Sequence, residues 1–362
     1  VILLPWENRK IDIFFIAVVA ILMVFGIFIL KSAVQPRNMV YLLKRQILWD
    51  ILGFSAMMSI LLIKEEYIKS WIVPFYILSI GLLILVLFFG PTVGGAKRWF
   101  KFPFGSFQPS DLAKIAVVLA LSRVLTKGTG FLTFINSLIV AGIPLFLILL
   151  EPDLGTSLLF GIIWLTMCFS SKIKKRYVIY TLVLILVIAP FFYFFGLEDY
   201  QRERILAYLN PKAYSTDASY NVLQSIHAIG SGGIFGKGYM RGPANLKKYV
   251  PVAHTDFVVS VLGEELGFVG ISSLIALYSL LFYRIYRSIS YVKSEFWELV
   301  LVGVSTVLWF HVFENVGMCM GLMPVTGIPL PFISYGGTST VTFSILLGLS
   351  LKGIALSKVE RI

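Results

Sequence analysis

Ionisable side chains are scarce in this chain, and those inside apolar runs are the first places to look for chemistry. A charged group at mid-membrane costs on the order of 2.5–3.5 kcal/mol on insertion scales, so each one needs a reason. Asp256 follows Val252-Ala253-His254-Thr255 and opens a long apolar run. A carboxylate in that position serves either to cap a helix N-terminus or to take a proton from a hydroxyl. Glu264 and Glu265 follow about two turns on, and His311 and Glu314 lie in the next run. Gathered around one cavity, they point to a site with Asp256 as its base. Taken singly, Glu265 and Glu314 read as structural partners of Lys114 or of other helices. Asp111 and Lys114 stand at i and i+3 after Gln108-Pro109-Ser110, so they share a helix face and can neutralise each other. The pair either lowers an insertion cost or lines a polar cavity.

Two irregular stretches accompany these residues. Gln224 to Gly238 reads QSIHAIGSGGIFGKG, which invites comparison with a P-loop. A Walker A motif requires Gly five residues before Gly236 and Ser or Thr after Lys237, and those positions hold Ser231 and Gly238. The P-loop reading fails. The glycines still offer backbone N–H donors to a phosphate, with Lys237 as a point charge, or simply a flexible turn. Met323 to Phe332 contains Pro324, Pro329 and Pro331 and cannot be regular helix. At membrane depth such backbone is tolerated where it is buried in protein or lines a cavity. Ser334-Tyr335-Gly336-Gly337-Thr338 then restarts the chain towards a helix.

The elements that must position these groups are membrane helices. Hydrophobic residues make up 58% of 362 and charged residues 14%, against about 25% charged in soluble domains. Apolar runs of roughly 20 residues, the length of one crossing, recur at 11–30, 46–63, 71–89, 109–126, 131–150, 155–171, 177–196, 256–283, 297–323 and 335–357. The expected fold class is an all-α polytopic membrane protein of about ten transmembrane helices, forming one domain over 1–362. A long extracytoplasmic segment, 197–255, separates helices 7 and 8, and its stretch around Arg202 to Leu209 suits a short amphipathic helix. The first crossing is expected to act as its own insertion signal.

Charge sets the orientation. Lys172, Lys174, Lys175, Arg176 and the basic tail at Lys358 and Arg361 all fall on one side, which the positive-inside rule makes cytoplasmic, together with both termini. The net charge of +12 lies in short loops between apolar runs, so nucleic acid is not its partner. Positive charge is nevertheless left over on the outer face. It is either tolerated there or attracts an anionic substrate. Cys168 and Cys319 lie far apart in apolar runs, which excludes a disulfide framework or a zinc site.

Six stretches, in this order, resemble the SEDS family of shape, elongation, division and sporulation proteins. They are Gly94–Trp99, Gln108–Lys114, Glu151–Thr156, Gln224–Gly238, Ala253–Gly270 and Gly321–Gly337. Asp199 to Pro211 and the AIGSGG run look more like the RodA branch than the FtsW branch. The resemblance implies a ten-helix peptidoglycan glycosyltransferase that polymerises lipid II at the outer face of the bacterial cytoplasmic membrane for cell elongation. It also implies a class B penicillin-binding protein, a transpeptidase, as partner within the elongation machinery.

In the implied reaction the 4-hydroxyl of an acceptor GlcNAc attacks C1 of a donor MurNAc, and undecaprenyl diphosphate leaves with inversion. Asp256 is the candidate base, with a divalent cation, Mg2+ or Mn2+, held by Asp256 as the alternative; no other cofactor is indicated. Arg98, Arg204 and Lys237 are candidates for the diphosphate, and Asp111 and Lys114 for shaping the cavity. Gln224, Ser225, His254, Thr255, Glu265, Ser334 and Tyr335 complete the expected substrate-binding set. The chain departs from the family in having Asp111 for Glu, Val252 for Glu and Asn221 for Gln or His. The second departure removes a carboxylate beside the site. The rival readings are a lipid II transporter and a non-catalytic scaffold. Inverted halves with paired helix breaks, often seen in transporters, are not found in the sequence, and a scaffold leaves the groups around Asp256 unexplained.

Overall fold

The computed structural model describes residues 11–92, 95–102, 105–196, 202, 206, 208 and 217–357. Each of the ten apolar runs forms a helix: α1 Ile13–Val34, α2 Val40–Leu62, α3 Glu65–Phe89, α4 Pro109–Leu125, α5 Phe131–Leu150, α6 Leu154–Ser170 and α7 Lys175–Phe195, then α10 Val258–Ile289, α11 Glu295–Cys319 and α12 Gly337–Leu356. Between α7 and α10 the described residues include α8 Asp217–Ser231 and the short α9 Pro243–Leu246. A small antiparallel hairpin, β1 Phe100–Phe102 and β2 Gly105–Phe107, precedes α4. Most of the helix expected around residues 202–209 lies outside the described residues.

Eight of the ten are long and apolar enough to cross a membrane. The remaining two, α4 and α6, have 17 residues each, about 25 Å of helix at 1.5 Å per residue and the lower end of what a crossing requires. α4 can be short because it sits inside the bundle. Nearly every residue of α4 is buried, whereas α3, α5 and α7 turn large apolar side chains such as Phe88, Phe146 and Leu186 outwards, as a lipid-facing surface requires. α2 begins at Val40, earlier than the apolar run, because its first turns carry Lys44 and Arg45 ahead of the apolar stretch. It lies along α12. A Cβ on Gly348 would stand 2.8 Å from the Met57 carbonyl oxygen, so this close approach of two backbones needs glycine.

Short connections make successive helices antiparallel, and this sorts the ion pairs by end. At one end Arg284 holds Asp12, Lys172 meets Glu295 at 2.9 Å, and buried Lys352 donates to the Ile63 carbonyl at the C-terminus of α2 at 2.7 Å. The other end gathers the start of α2, the hairpin, the start of α4, the α5–α6 junction, the approach to α10 and the proline segment.

One feature departs from the expected run at 256–283. α10 is broken at Gly267, whose φ of 65° and ψ of −157° leave helical space. Residues 232–238 enter the break and satisfy the freed backbone. Lys237 N and Gly238 N donate to Glu264 O and Glu265 O, both at 3.0 Å. Phe268 N and Val269 N donate to Gly233 O at 2.9 Å and Ile234 O at 3.1 Å. Non-helical backbone is thereby buried against protein.

Candidate active site

The N-terminus of α4 supplies a cation. Lys114 Nζ lies 2.7 Å from Asp111 Oδ1, and both side chains are 3% exposed. The second hydrogen-bonding neighbour of Lys114 is His311 Nε2 of α11, at 3.2 Å. Both uses expected of the Asp–Lys pair hold together, since the two side chains neutralise each other and also line a cavity of about 510 Å³.

The α5–α6 junction holds a second cation, Arg98, which comes from the segment just before β1. Its guanidinium donates to Glu151 O at 2.9 Å and to Pro152 O, and lies 3.8 Å from Asp153 Oδ2. Asp153 caps α6 by accepting from Thr156 N at 3.2 Å and Thr156 Oγ1 at 3.0 Å. Arg98, Asp153 and Thr156 all line the cavity. Behind them, Glu151 is 1% exposed and neither carboxylate oxygen has a hydrogen-bond partner. Burial first, and then the charge of Asp153, push its carboxyl up to about 9 against the opposing pull of Arg98.

The carboxylate comes from the turn before α10. The N-cap of α10 is Phe257, so Asp256 stands outside the helix, half-buried and on the cavity wall. The capping alternative is therefore set aside. The carbonyls of residues 254, 255 and 256 are each held by a separate donor: Tyr335 N on His254 O at 2.9 Å, Ser334 Oγ on Thr255 O at 2.5 Å, and Asn315 Nδ2 on Asp256 O at 2.9 Å. Asn315 Nδ2 also donates to Ile328 O at 2.8 Å, which fixes the proline segment to the same point. That segment is irregular, as its prolines require, and Thr326 to Pro329 line the cavity. Gly327 has a φ of +75°, and a Cβ added there would stand 3.5 Å from Asp256 Oδ2. The remaining wall is Trp49 of α2, Trp99, the hairpin at Gly105 and Ser106, and the start of α12.

Of the expected residues, Arg98, Asp111, Lys114, Thr255, Asp256 and Tyr335 meet at this cavity. Others lie behind it or elsewhere. Ser334 is a staple of the Asp256 turn and not part of the lining. His254 is also absent from the lining; burial and the nearby Arg37 guanidinium hold its pKa below the usual imidazole value. Ser225 is buried, bonded to Ser260 Oγ and to Cys319 O, both at 2.6 Å, and Gln224 on the same helix does not line the cavity.

Lys237 and Glu265 serve the broken helix. Lys237 Nζ meets Ser231 Oγ at 2.6 Å and Glu264 Oε1 at 3.2 Å. Glu265 accepts from Ser32 Oγ at 2.5 Å, Met240 N at 2.9 Å and Asn245 Nδ2 at 3.2 Å. Gly236, with φ +78°, would put a Cβ 2.1 Å from Glu265 O. The glycine run thus packs against α10, with Lys237 paired to Glu264. Arg204 lies outside the described residues.

His311 lines the cavity, as its place among the gathered charges suggested, and Trp49, Gln108, Asp153, Thr156 and Thr326 line it without having been expected there. Asp153 and Thr156 carried a signal, an acceptor three residues ahead of a threonine at the head of an apolar run. Trp49, inside an apolar run, carried none.

In a cavity lined by a carboxylate, two cations, indole and backbone, the carboxylate can accept a proton from a sugar hydroxyl while the cations stabilise a leaving diphosphate. The family model for the cell cycle proteins FtsW, RodA and SpoVE matches residues 9–358. The chain belongs to this family. Peptidoglycan glycosyltransferase MrdB of Escherichia coli is 34% identical over 98% of this chain and 97% of its own length. A probable peptidoglycan glycosyltransferase FtsW of Geobacter metallireducens is 35% identical over 95% of each chain. Among solved structures, rod shape determining protein RodA of Thermus thermophilus superposes with a TM-score of 0.73 at 28% identity, covering 98% of this chain and 99% of that one. A chain from a peptidoglycan synthase complex that coordinates polymerisation and crosslinking reaches 0.82 at 30% identity, covering 96% and 97%. The ten-helix membrane fold and the family expected from the motifs are the ones found.

Proposed function

We propose that this chain is a peptidoglycan glycosyltransferase of the RodA type, polymerising lipid II into β-1,4 glycan strands for cell elongation. It works as one domain over 1–362, with the cavity at the outer face of the cytoplasmic membrane and both termini in the cytoplasm. The observation that carries the reading is Asp256, outside its helix and on the cavity wall, with three successive carbonyls pinned around it.

In the proposed step the Asp256 carboxylate takes the proton of the acceptor GlcNAc 4-hydroxyl. The oxygen forms a bond to C1 of the donor MurNAc on the β face, and the α bond from C1 to the diphosphate oxygen breaks. Undecaprenyl diphosphate leaves with that electron pair, facing Arg98 and Lys114. Holding a divalent cation, Mg2+ or Mn2+, together with the substrate's diphosphate is the alternative role for the Asp256 carboxylate, since Mg2+ is usually bound through one or two carboxylates plus substrate phosphates. A class B penicillin-binding protein is the proposed partner, crosslinking the strands as they emerge. A transporter would need access from both membrane faces, and the cavity lining belongs to one end of the helices.

The test is polymerisation of lipid II by the purified chain with its transpeptidase. Asp256→Ala should lower the rate by about 10²–10⁴-fold, the worth of a general base. Its thermal midpoint should stay at the wild-type value, because the side chain is half-buried and does not cap α10. Long strands from Asp256→Ala at the wild-type rate would remove Asp256 from the chemistry.

A further inference from the structure

We propose that His311 is a positioning residue that fixes the Lys114 ammonium in the cavity wall and ties it to the segment holding Asp256. The imidazole is 1% exposed and both of its nitrogens are engaged. Nδ1 lies 2.9 Å from Pro329 O. A carbonyl only accepts, so Nδ1 carries the hydrogen and Nε2 the lone pair. That lone pair accepts from Lys114 Nζ at 3.2 Å. The ring stands edge-on to Phe343, with centroids 4.7 Å apart, which fixes its plane.

The consequence for Lys114 follows from its three N–H donors. One goes to Asp111 at 2.7 Å and one to His311, which directs the third towards the cavity that Lys114 lines. With Asp111 alone, the ammonium on its four-carbon stem would be free to turn about that single bond. The consequence for Asp256 follows from helix spacing. Asn315 lies one turn beyond His311 on the same face of α11. It donates to Ile328 O, the carbonyl next to Pro329, and to Asp256 O. α11 therefore grips two successive carbonyls of the proline segment with two side chains. One of them orients the cation and the other holds the base. Both reacting groups take their positions from a single rigid helix, an arrangement that keeps a base and a leaving-group cation in register.

A histidine that merely filled space would leave at least one nitrogen indifferent to the cavity. Here the two engaged atoms face the two elements whose separation matters to the reaction. The inference rests on the glycosyl-transfer reading for its kinetic part and on geometry alone for its spectroscopic part.

The chain has three histidines, so 15N-imidazole NMR of the full-length protein in lipid nanodiscs shows three rings, and His311→Gln assigns one of them. The expected result is a neutral ring with hydrogen on Nδ1, whose Nε2 signal moves in Lys114→Met while Nδ1 stays. Hydrogen on Nε2, or an Nε2 signal indifferent to Lys114→Met, overturns the proposal. In polymerisation assays with the transpeptidase, His311→Leu should lower kcat about 10–100-fold with KM little changed, as expected of a residue that orients a working group. His311→Gln keeps a donor and an acceptor and should stay within a few-fold of wild type. Wild-type kcat in His311→Leu overturns the proposal. So does an equal loss of kcat in Gln and Leu with both proteins folded. If His311→Leu does not fold, the Gln variant and the NMR result decide. A wild-type chain that makes no strands overturns the proposed function and leaves the NMR result standing on its own.

Discussion

Removing one partner of the Asp111–Lys114 pair should cost stability and activity, and removing both should restore only stability. At 2.7 Å and an effective dielectric of about 20, the attraction between the two charges is roughly 6 kcal/mol. Desolvation offsets much of this, because each side chain is only 3% exposed. What remains on deletion is the penalty of a lone buried charge, about 3–5 kcal/mol. Asp111→Ala leaves the Lys114 ammonium with His311 as its hydrogen-bonding neighbour and should lower the thermal midpoint sharply. In the double variant Asp111→Ala with Lys114→Met, the stranded charge is gone and a thioether fills the stem's volume. Replacing buried pairs with apolar groups is often neutral or stabilising by about 1–4 kcal/mol, so the midpoint should return to or above the wild-type value. Polymerisation should not return, because the cavity has lost a cation that would face the leaving diphosphate. The assay is a thermal melt in detergent beside lipid II polymerisation for wild type, single and double variants. A double variant as unstable as Asp111→Ala would refute the charge argument. A double variant that polymerises at the wild-type rate would refute the placement of Lys114 in the chemistry.

Two other consequences can be measured in the same preparations. Glu151, with its carboxyl pushed up to about 9 from an ordinary 4.5, binds more protons in the folded state than in the unfolded state between those values, so wild-type stability should fall as pH rises through that window. Glu151→Gln removes the titrating group and should flatten melting temperature against pH from 5 to 9; an unchanged slope would place the titration elsewhere. Gly236→Ala forces a side chain at φ +78° into the Glu265 carbonyl, costing at least about 1–3 kcal/mol, and should expose the 232–238 segment to proteolysis; resistance equal to wild type would refute the docking of that segment in the helix break.

The helices were legible because apolar run length is a local property, and a crossing needs little else. Asp111 and Lys114 were legible as a pair because helical periodicity puts i and i+3 on one face. What decided whether the pair also lined the cavity was the approach of His311, which lies 197 residues away. The glycine run shows the limit most clearly. Its composition suits phosphate binding and close packing equally, and only the break at Gly267 identifies packing as its use. That break was invisible for a related reason. A lone glycine in an apolar run is compatible with continuous helix, and the backbone groups that compensate for the break come from residues 233–238. Trp49 stayed hidden because an indole among apolar residues is the normal content of a membrane helix. Its place on the cavity wall depends on the packing of α2 along α12.

The turn carrying Asp256 is strained and is held in place from outside. Val252 has a φ of 51°, a region that a β-branched residue rarely enters and that costs of order 1–3 kcal/mol. Such strain persists only where the surroundings over-determine the backbone. Here Val252 O accepts from Thr255 N at 3.1 Å, and the next three carbonyls but one, at 254, 255 and 256, are each taken by a donor from outside the turn. At about 1 kcal/mol net for each hydrogen bond, the three external donors match the strain. They come from α11 and from the restart at Ser334 and Tyr335, so the conformation of the base is written into segments 59 to 81 residues downstream. A carboxylate held this way needs little reorganisation when the acceptor hydroxyl arrives, which is the property electrostatic preorganisation demands. The side chain lost by having Val at 252 is compatible with this account, because the turn depends on the backbone carbonyl of that residue, and its side chain only adds apolar surface to the cavity wall.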